Sequence, residues 1–241
     1  MIESLLLSTA QVSTFEADRR LSSASGFFFG RDKQLFFVTS RHVFFDEPSG
    51  HRPDRIEIEF HTDVDNLTRS TVLSVLLFKD GKSIWHQGSD VAGEVDVAVI
   101  ALDRAALPPS AAFQFFTPSH LQRALQEVEV GSSLLVVGFP LGFQDTLHHL
   151  PVVRQAVIAS SFGLRFQGQG YFLTDARTHR GISGAPVVMR DAGSTDILPW
   201  KLLGVHSARL DIGTRDIRLD ESLGLNCTWY ADILLTLTNT P

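Results

Sequence analysis

An all-β fold built in two halves is what this sequence predicts, and three observations carry the prediction. Short apolar runs recur along the chain, each closed by Gly, Pro or Asp, which is the rhythm of a barrel or sandwich. Between residues 103 and 131 that rhythm breaks: Leu107-Pro108-Pro109-Ser110 and Thr117-Pro118 interrupt it and divide the strands into two sets. The 241 residues, 44% of them hydrophobic, suffice to bury a sizeable core, and all-β units of this length often stay undivided.

The elements follow in order. Gly26-Phe27-Phe28-Phe29-Gly30 and Leu35-Phe36-Phe37-Val38-Thr39 flank the polar turn Arg31-Asp32-Lys33 and read as a hairpin. Arg55 to Phe60 alternates, placing Ile56, Ile58 and Phe60 on one face. Further strands are expected at 71–78, 95–102, 133–137, 152–159, 171–174, 187–189, 202–206 and 223–229. Leu121 to Val130 suggests a short helix in the break, and Tyr230 to Leu237 a C-terminal helix. The expected division is residues 20–105 for the first β unit, 106–130 for the linker and 131–241 for the second.

Composition excludes several classes of function. The net charge is −6 and no Lys/Arg run occurs, so neither nucleic acid nor an anionic membrane is an expected partner. The single cysteine, Cys227, rules out an intrachain disulfide and fits a reducing, cytoplasmic setting. Residues 1–10 carry Glu3 and only Leu5-Leu6-Leu7 as an apolar run, without the basic region or the apolar length of a signal peptide. No stretch approaches the ~20 apolar residues of a membrane span.

The chemistry concentrates at Thr174-Asp175-Ala176-Arg177-Thr178-His179-Arg180-Gly181-Ile182-Ser183-Gly184-Ala185-Pro186, a G-x-S-G turn followed at once by an apolar strand. A serine hydroxyl is a poor nucleophile until a base takes its proton, and imidazole suits that task near neutral pH. A buried carboxylate then fixes the imidazole tautomer and stabilises the imidazolium. His42 follows the strand Phe36-Phe37-Val38-Thr39-Ser40, and Asp96 opens the apolar strand Asp96-Val97-Ala98-Val99-Ile100. With Ser183 they form an expected acyl-transfer triad, in which the N–H groups of Gly181 and Ser183 can form an oxyanion hole.

The order His, Asp, Ser resembles the chymotrypsin-like serine proteases, and within them the bacterial HtrA/Deg-type branch. Thr174 to Pro186 is similar to that branch's T-D-A-x-x-x-x-G-N-S-G-G-P signature. Val137-Gly138-Phe139-Pro140-Leu141-Gly142 is similar to its G-x-P-x-G turn, and 223–237 to its closing strand and helix. The likeness runs in order from about Gly26 to Leu237. It implies one trypsin-like peptidase domain over residues 1–241, made of two perpendicular antiparallel barrels with the site in the cleft between them. It also implies a protein or peptide substrate and no cofactor. Ile182 departs from the pattern, standing where the HtrA type has Asn and secreted trypsins have Asp, so the trypsin-style zymogen switch is not expected. Ala185 replaces a Gly, and no PDZ-like segment follows residue 237.

In such a fold the primary specificity pocket draws on the segment before the serine and the strand after it. Here these supply Arg177 and Thr178, then His206, Ser207 and Arg209. A strand His opposite a Thr resembles the glutamyl endopeptidases, and Thr178 and His206 can donate to a carboxylate, with Arg177 or Arg209 adding positive charge. The expectation is cleavage after Glu or Asp, against the HtrA habit of small aliphatic residues, which would leave Arg177 in solvent. The trypsin aspartate is absent at Arg177. The alternative to an active protease is a latent or inactive member of the fold, awaiting a protein partner that orders 177–182. No metal site is expected. His148, His149 and Asp145 lack further ligands at structural-zinc spacing. The Asp54–Asp65 acids read as a solvated face, and Cys227 as a small core residue.

Overall fold

The computed structural model describes residues 2–209 and 224–239. Its first half comprises β1 (Thr9–Glu16), β2 (Arg19–Arg31), β3 (Gln34–Thr39), β4 (Arg55–His61), β5 (Ser70–Leu76), β6 (Phe78–Lys79), β7 (Lys82–Ser83), β8 (Trp85–Asp90) and β9 (Gly93–Leu102). A one-turn helix, α1 (Arg41–Phe44), follows β3. The second half holds β10 (Ser133–Gly138), β11 (Val152–Ile158), β12 (Tyr171–Asp175), β13 (Pro186–Arg190), β14 (Trp200–Arg209) and β15 (Leu225–Tyr230), then α2 (Ile233–Leu237).

The first half is a seven-stranded antiparallel sheet in the order β5-β4-β1-β2-β3-β9-β8, with β6 and β7 as a separate two-stranded ribbon. It curls around a core of Val12, Phe28, Phe37, Phe44, Ile56, Ile58, Trp85 and Ile100. The second half closes by hydrogen bonding into a six-stranded barrel, β10-β11-β12-β15-β14-β13. Phe162, Phe172, Ile182, Val187 and Leu203 fill it. A third cluster, including Phe27, Phe36, Val97, Phe116, Val137, Val205, Trp229 and Leu234, joins the halves and seats α2. Phenylalanine dominates these cores, with Phe27, Phe29 and Phe37 fully buried.

The expected hairpin pairs Phe27 with Val38 and Gly30 with Leu35. Its two-residue turn holds Asp32 and Lys33 at positive φ, the backbone twist that matches paired antiparallel strands. Ile56, Ile58 and Phe60 share the buried face of β4 as their alternation required. The structure differs at several places. The first sheet begins at Thr9, ahead of residue 20, because β1 pairs along β2 from Thr9↔Phe27 to Glu16↔Arg19. The expected helix at 121–130 is reduced to a 3-10 turn, Leu125–Glu127, with another at Pro118–His120. The C-terminal helix starts at Ile233 rather than Tyr230, which remains in β15. Leu223, expected to open the last strand, lies outside the described residues. No helix among the described residues is long and apolar enough to cross a membrane.

Candidate active site

The expected triad residues come from three elements: α1, β9 and the turn before β13. β3 ends at Thr39, and the first residues of α1 present His42. β9 carries Asp96 on the strand face opposite Val95 and Val97, which are buried in the cluster joining the halves. Ser183 stands in the turn between β12 and β13. His42 Nδ1 lies 2.7 Å from Asp96 Oδ2, and the His42 backbone N–H donates to Asp96 Oδ1 at 2.9 Å. The carboxylate therefore holds the ring through one oxygen and its own backbone through the other. With Nδ1–H facing a carboxylate, the tautomer that leaves Nε2 free to accept a proton is favoured. Ser183 Oγ donates to the Ser207 carbonyl at 3.0 Å and makes no hydrogen bond to His42.

Electrostatics follow from these contacts. Burial disfavours the His42 imidazolium, but the Asp96 hydrogen bond and charge outweigh it, and the ring is raised above its ordinary 6.5. Burial works against the Asp96 carboxylate too, yet hydrogen bonds from His42 and Ser207 hold it below 3.8.

The serine turn is shaped by glycine. Gly181 has φ +91°, and a Cβ there would sit 2.7 Å from the Phe139 carbonyl oxygen. Gly184 has φ +85°, and a Cβ there would collide with Thr39 Oγ1 and the Ser25 carbonyl. The Arg180 carbonyl accepts from Leu141 N–H at 2.5 Å. Since C=O and N–H of a trans peptide point in opposite directions, this bond turns the Gly181 N–H away from Leu141. Two donors of the serine turn, the Gly181 and Ser183 N–H groups, have no protein partner among the described residues.

The expected pocket residues are distributed unequally. Thr178 and His206 are buried, and Arg177 is exposed with its carbonyl taking a bond from Arg154 Nε at 3.1 Å. Thr178 Oγ1 donates to Asn226 Oδ1 at 2.5 Å. Asn226 is oriented unambiguously, because its Nδ2 donates to the carbonyls of Thr174, Ala176 and Gly224. The Thr178 proton is therefore committed to Asn226. His206 Nδ1 is buried without a hydrogen-bond partner, and desolvation, with the nearby His42 charge, pushes the ring down to about 4. At Ser207 a bulge between His206 and Ala208 turns the hydroxyl onto Asp96 Oδ2. For Arg209 only the strand backbone is described.

Asn226 and Ser207 as an Asp96 ligand are what sequence reasoning missed. Asn226 lies in an apolar strand, and only its β12 partner Thr174 hints at an internal polar site. Away from this cleft, His148 Nδ1 pairs with Asp145 at 2.8 Å and His149 Nδ1 lies 2.9 Å from Glu59. Among the described residues no group of three or more His, Cys, Asp or Glu side chains can hold a metal ion. Burial raises the Cys227 thiol to about 11, which suits a core residue rather than a nucleophile.

Comparison with known proteins agrees with this architecture. The HtrA-type protease AlgW with a tripeptide superposes with a TM-score of 0.57 at 19% identity, over 96% of this chain and 58% of that one. The serine endoprotease from Yersinia pestis gives 0.54 at 17% identity, over 96% of this chain and 61% of that one. At such identities the likeness is one of fold, and this chain spans about three-fifths of the length of either structure. No curated protein sequence matches the chain. The family model for the trypsin-like peptidase domain matches residues 24–194, which include His42, Asp96 and Ser183. Over that span, more than half its length, the chain is a member of the trypsin-like peptidase domain family.

Proposed function

We propose that this chain is a serine endopeptidase whose nucleophile is Ser183, with His42 as base and then acid, Asp96 as the group that orients His42, and the Gly181 and Ser183 N–H groups as the oxyanion hole. The observation that carries the reading is the two-point grip of Asp96 on His42, at 2.7 Å to Nδ1 and 2.9 Å from the backbone N–H. In the reaction Ser183 Oγ attacks the peptide carbonyl as His42 Nε2 takes its proton. The negative charge passes to the carbonyl oxygen, held by the two amides. His42 returns the proton to the leaving amine, and water then repeats the cycle on the acyl-enzyme. No cofactor takes part, and the substrate is a protein or peptide. Fluorophosphonate labelling of the full chain beside Ser183→Ala, read by intact mass, tests it: wild type gains one phosphonyl group and the variant none.

The subsite before the scissile bond admits two preferences. A carboxylate ligand finds one donor in His206, whose Nδ1 has no partner. Small aliphatic residues are supported by the Thr178–Asn226 bond, which spends the Thr178 proton, and by the exposure of Arg177. A neutral imidazole with a pKa of about 4 brings no positive charge of its own. A peptide panel varied at that single position separates the two.

A latent enzyme awaiting a protein partner is the second reading. The observation that bears on it is the Ser183 hydroxyl, which is turned to the Ser207 carbonyl instead of His42. Catalytic hydrogen bonds in unliganded sites often tighten only around substrate, so the same observation is compatible with a competent enzyme. Labelling of the isolated chain distinguishes them.

A further inference from the structure

We infer that Ser25 is the positioning residue that sets the oxyanion loop, an inference that rests on Ser183 and the Gly181 and Ser183 amides acting as proposed above. Ser25 lies on β2, in the other half of the molecule, and is fully buried. Its Oγ donates to the Gly181 carbonyl at 2.8 Å and accepts from the Phe139 N–H at 2.9 Å. Its N–H donates to the Ser183 carbonyl at 3.0 Å. Its own carbonyl accepts from Thr39 Oγ1 at 2.7 Å, which fixes the residue against the strand that leads to His42.

The consequence lies in the sequence of peptide planes. An oxyanion hole needs the Gly181 and Ser183 N–H groups aimed at one point, and each is fixed by the carbonyl of its own peptide. The Arg180 carbonyl is held by Leu141 N–H at 2.5 Å and the Ile182 carbonyl by Ala185 N–H at 3.0 Å. Between them stands the 181–182 peptide, whose carbonyl is held by Ser25 Oγ. The same Oγ ties down Phe139, two residues before the Leu141 that fixes Arg180. One hydroxyl therefore fixes the central peptide and the segment that orients its neighbour. Because it accepts from an N–H, its single proton is directed onto the Gly181 carbonyl. Removing it strands a buried carbonyl and a buried N–H. Rotation of the 181–182 peptide relieves the first of these, and tilts both donors away from the oxyanion.

The test is Ser25→Ala in the full chain, a change that removes one atom from a site where Gly138 packs directly against that hydroxyl. With sites counted by fluorophosphonate, kcat per labelled site falls by on the order of 10–100-fold while KM stays within about two-fold. Affinity for a peptidyl boronic acid, which places a tetrahedral oxyanion in the hole, falls by the same factor as kcat. The acid limb of kcat/KM does not move, since His42 and Asp96 are untouched. Full kcat per labelled site, with fewer sites labelled, would overturn the inference in favour of a merely structural serine; so would an equal rise in KM. If wild type itself is not labelled, it is the catalytic reading that fails. Ser25 is then judged by the Gly181 and Ser183 amide 1H–15N resonances: displacement of both in Ser25→Ala upholds the positioning role and unchanged shifts overturn it.

Discussion

Ser207 donates its hydroxyl to the same Asp96 oxygen that faces His42 Nδ1, while its carbonyl accepts the Ser183 hydroxyl at 3.0 Å. One residue of the second half thus touches the carboxylate carried by the first half and the serine carried by its own. The bulge at 206–208 makes this possible, because it turns a side chain of β14 out of the barrel alternation and into the cleft.

Ser207→Ala removes one of the bonds that hold Asp96 ionised and steady. Hydrogen bonds to charged groups contribute about 1.5–3 kcal/mol, and half-buried geometry places this one at the lower end. The expected result is a loss of about 1–2 kcal/mol in denaturant unfolding and a fall in kcat/KM of roughly ten-fold. Unchanged turnover would show that His42 alone is enough to orient Asp96.

The pH profile of kcat/KM carries the signature of His42. In the proposed mechanism the base must be neutral to take the Ser183 proton, so activity is expected to fall as pH drops through the His42 pKa, which stands above 6.5. Asp96→Asn removes the hydrogen bond and charge that raise it, so the acid limb moves to lower pH. Turnover drops by about four powers of ten, the loss expected when a triad carboxylate is replaced by an amide. Stability has the opposite sense for the two partners. The raised His42 stabilises the fold below pH 6.5 and loses that contribution as pH rises through its folded pKa; the lowered Asp96 contributes above 3.8 and loses it as pH falls. Both contributions are thus fully present between those values, and deleting either partner lowers that plateau and flattens the slopes on its two sides, above pH 6.5 and below pH 3.8.

Much of this was legible in the sequence, for identifiable reasons. Period-2 alternation marked β4, and the phenylalanine runs marked the hairpin, because burial on one face leaves a direct trace in residue order. The meeting of His42 with Asp96 was legible because each carries its own local signature, His42 just after β3 and Asp96 ahead of an apolar run in β9. β1 was not: Thr9 to Glu16 intersperses Thr9, Gln11, Ser13 and Thr14 among Ala10, Val12 and Phe15, and its strand state comes from pairing with β2 and β4 rather than from its own pattern. The helix expected at 121–130 failed because Leu121 bridges to Leu202 in the second half instead of starting a helical face. The roles of Ser207 and Asn226 depend on a bulge and on three backbone carbonyls brought together from different segments, and no spacing within one segment encodes such a meeting.

His206 predicts acid lability. Its folded pKa of about 4 lies below its ordinary 6.5, so between those values the unfolded chain binds a proton that the folded chain excludes. Stability therefore rises with pH through that window and is lost on acidification, by up to about 3 kcal/mol for a group this deeply buried. In His206→Gln the unfolding free energy changes less between pH 6.5 and 4 than in wild type, as urea titrations at fixed pH values will show. An equally steep profile in the variant would place the acid lability in other groups.

Gly184 tolerates no side chain. At φ +85°, with Thr39 Oγ1 and the Ser25 carbonyl against its Cα, Gly184→Ala strains the backbone and forces β2 and β3 away from the serine turn. Its destabilisation should exceed 3 kcal/mol, the range of severe buried lesions, and be measurable as a loss of soluble folded protein or of Tm. Gly181→Ala has milder steric conflict, 2.7 Å to the Phe139 carbonyl oxygen, and is expected to keep the fold and lose turnover.

Thr178→Val separates the pocket's architecture from its selectivity. The two side chains are nearly equal in volume, but valine leaves Asn226 Oδ1 without the proton it accepts at 2.5 Å. An unpaired buried acceptor costs about 1–3 kcal/mol, so thermal and denaturant stability should fall by that amount. Selectivity should respond less. Asn226 is held by three carbonyls and cannot turn to release the Thr178 hydroxyl, so that hydroxyl has no proton to offer a substrate carboxylate. The ratio of kcat/KM for matched peptides bearing Glu or Ala before the scissile bond is therefore expected to change by less than about three-fold, under 1 kcal/mol of discrimination. A ten-fold fall in that ratio would mean that substrate breaks the Thr178–Asn226 bond on binding, and would make Thr178 a partner of His206 in reading an acidic side chain.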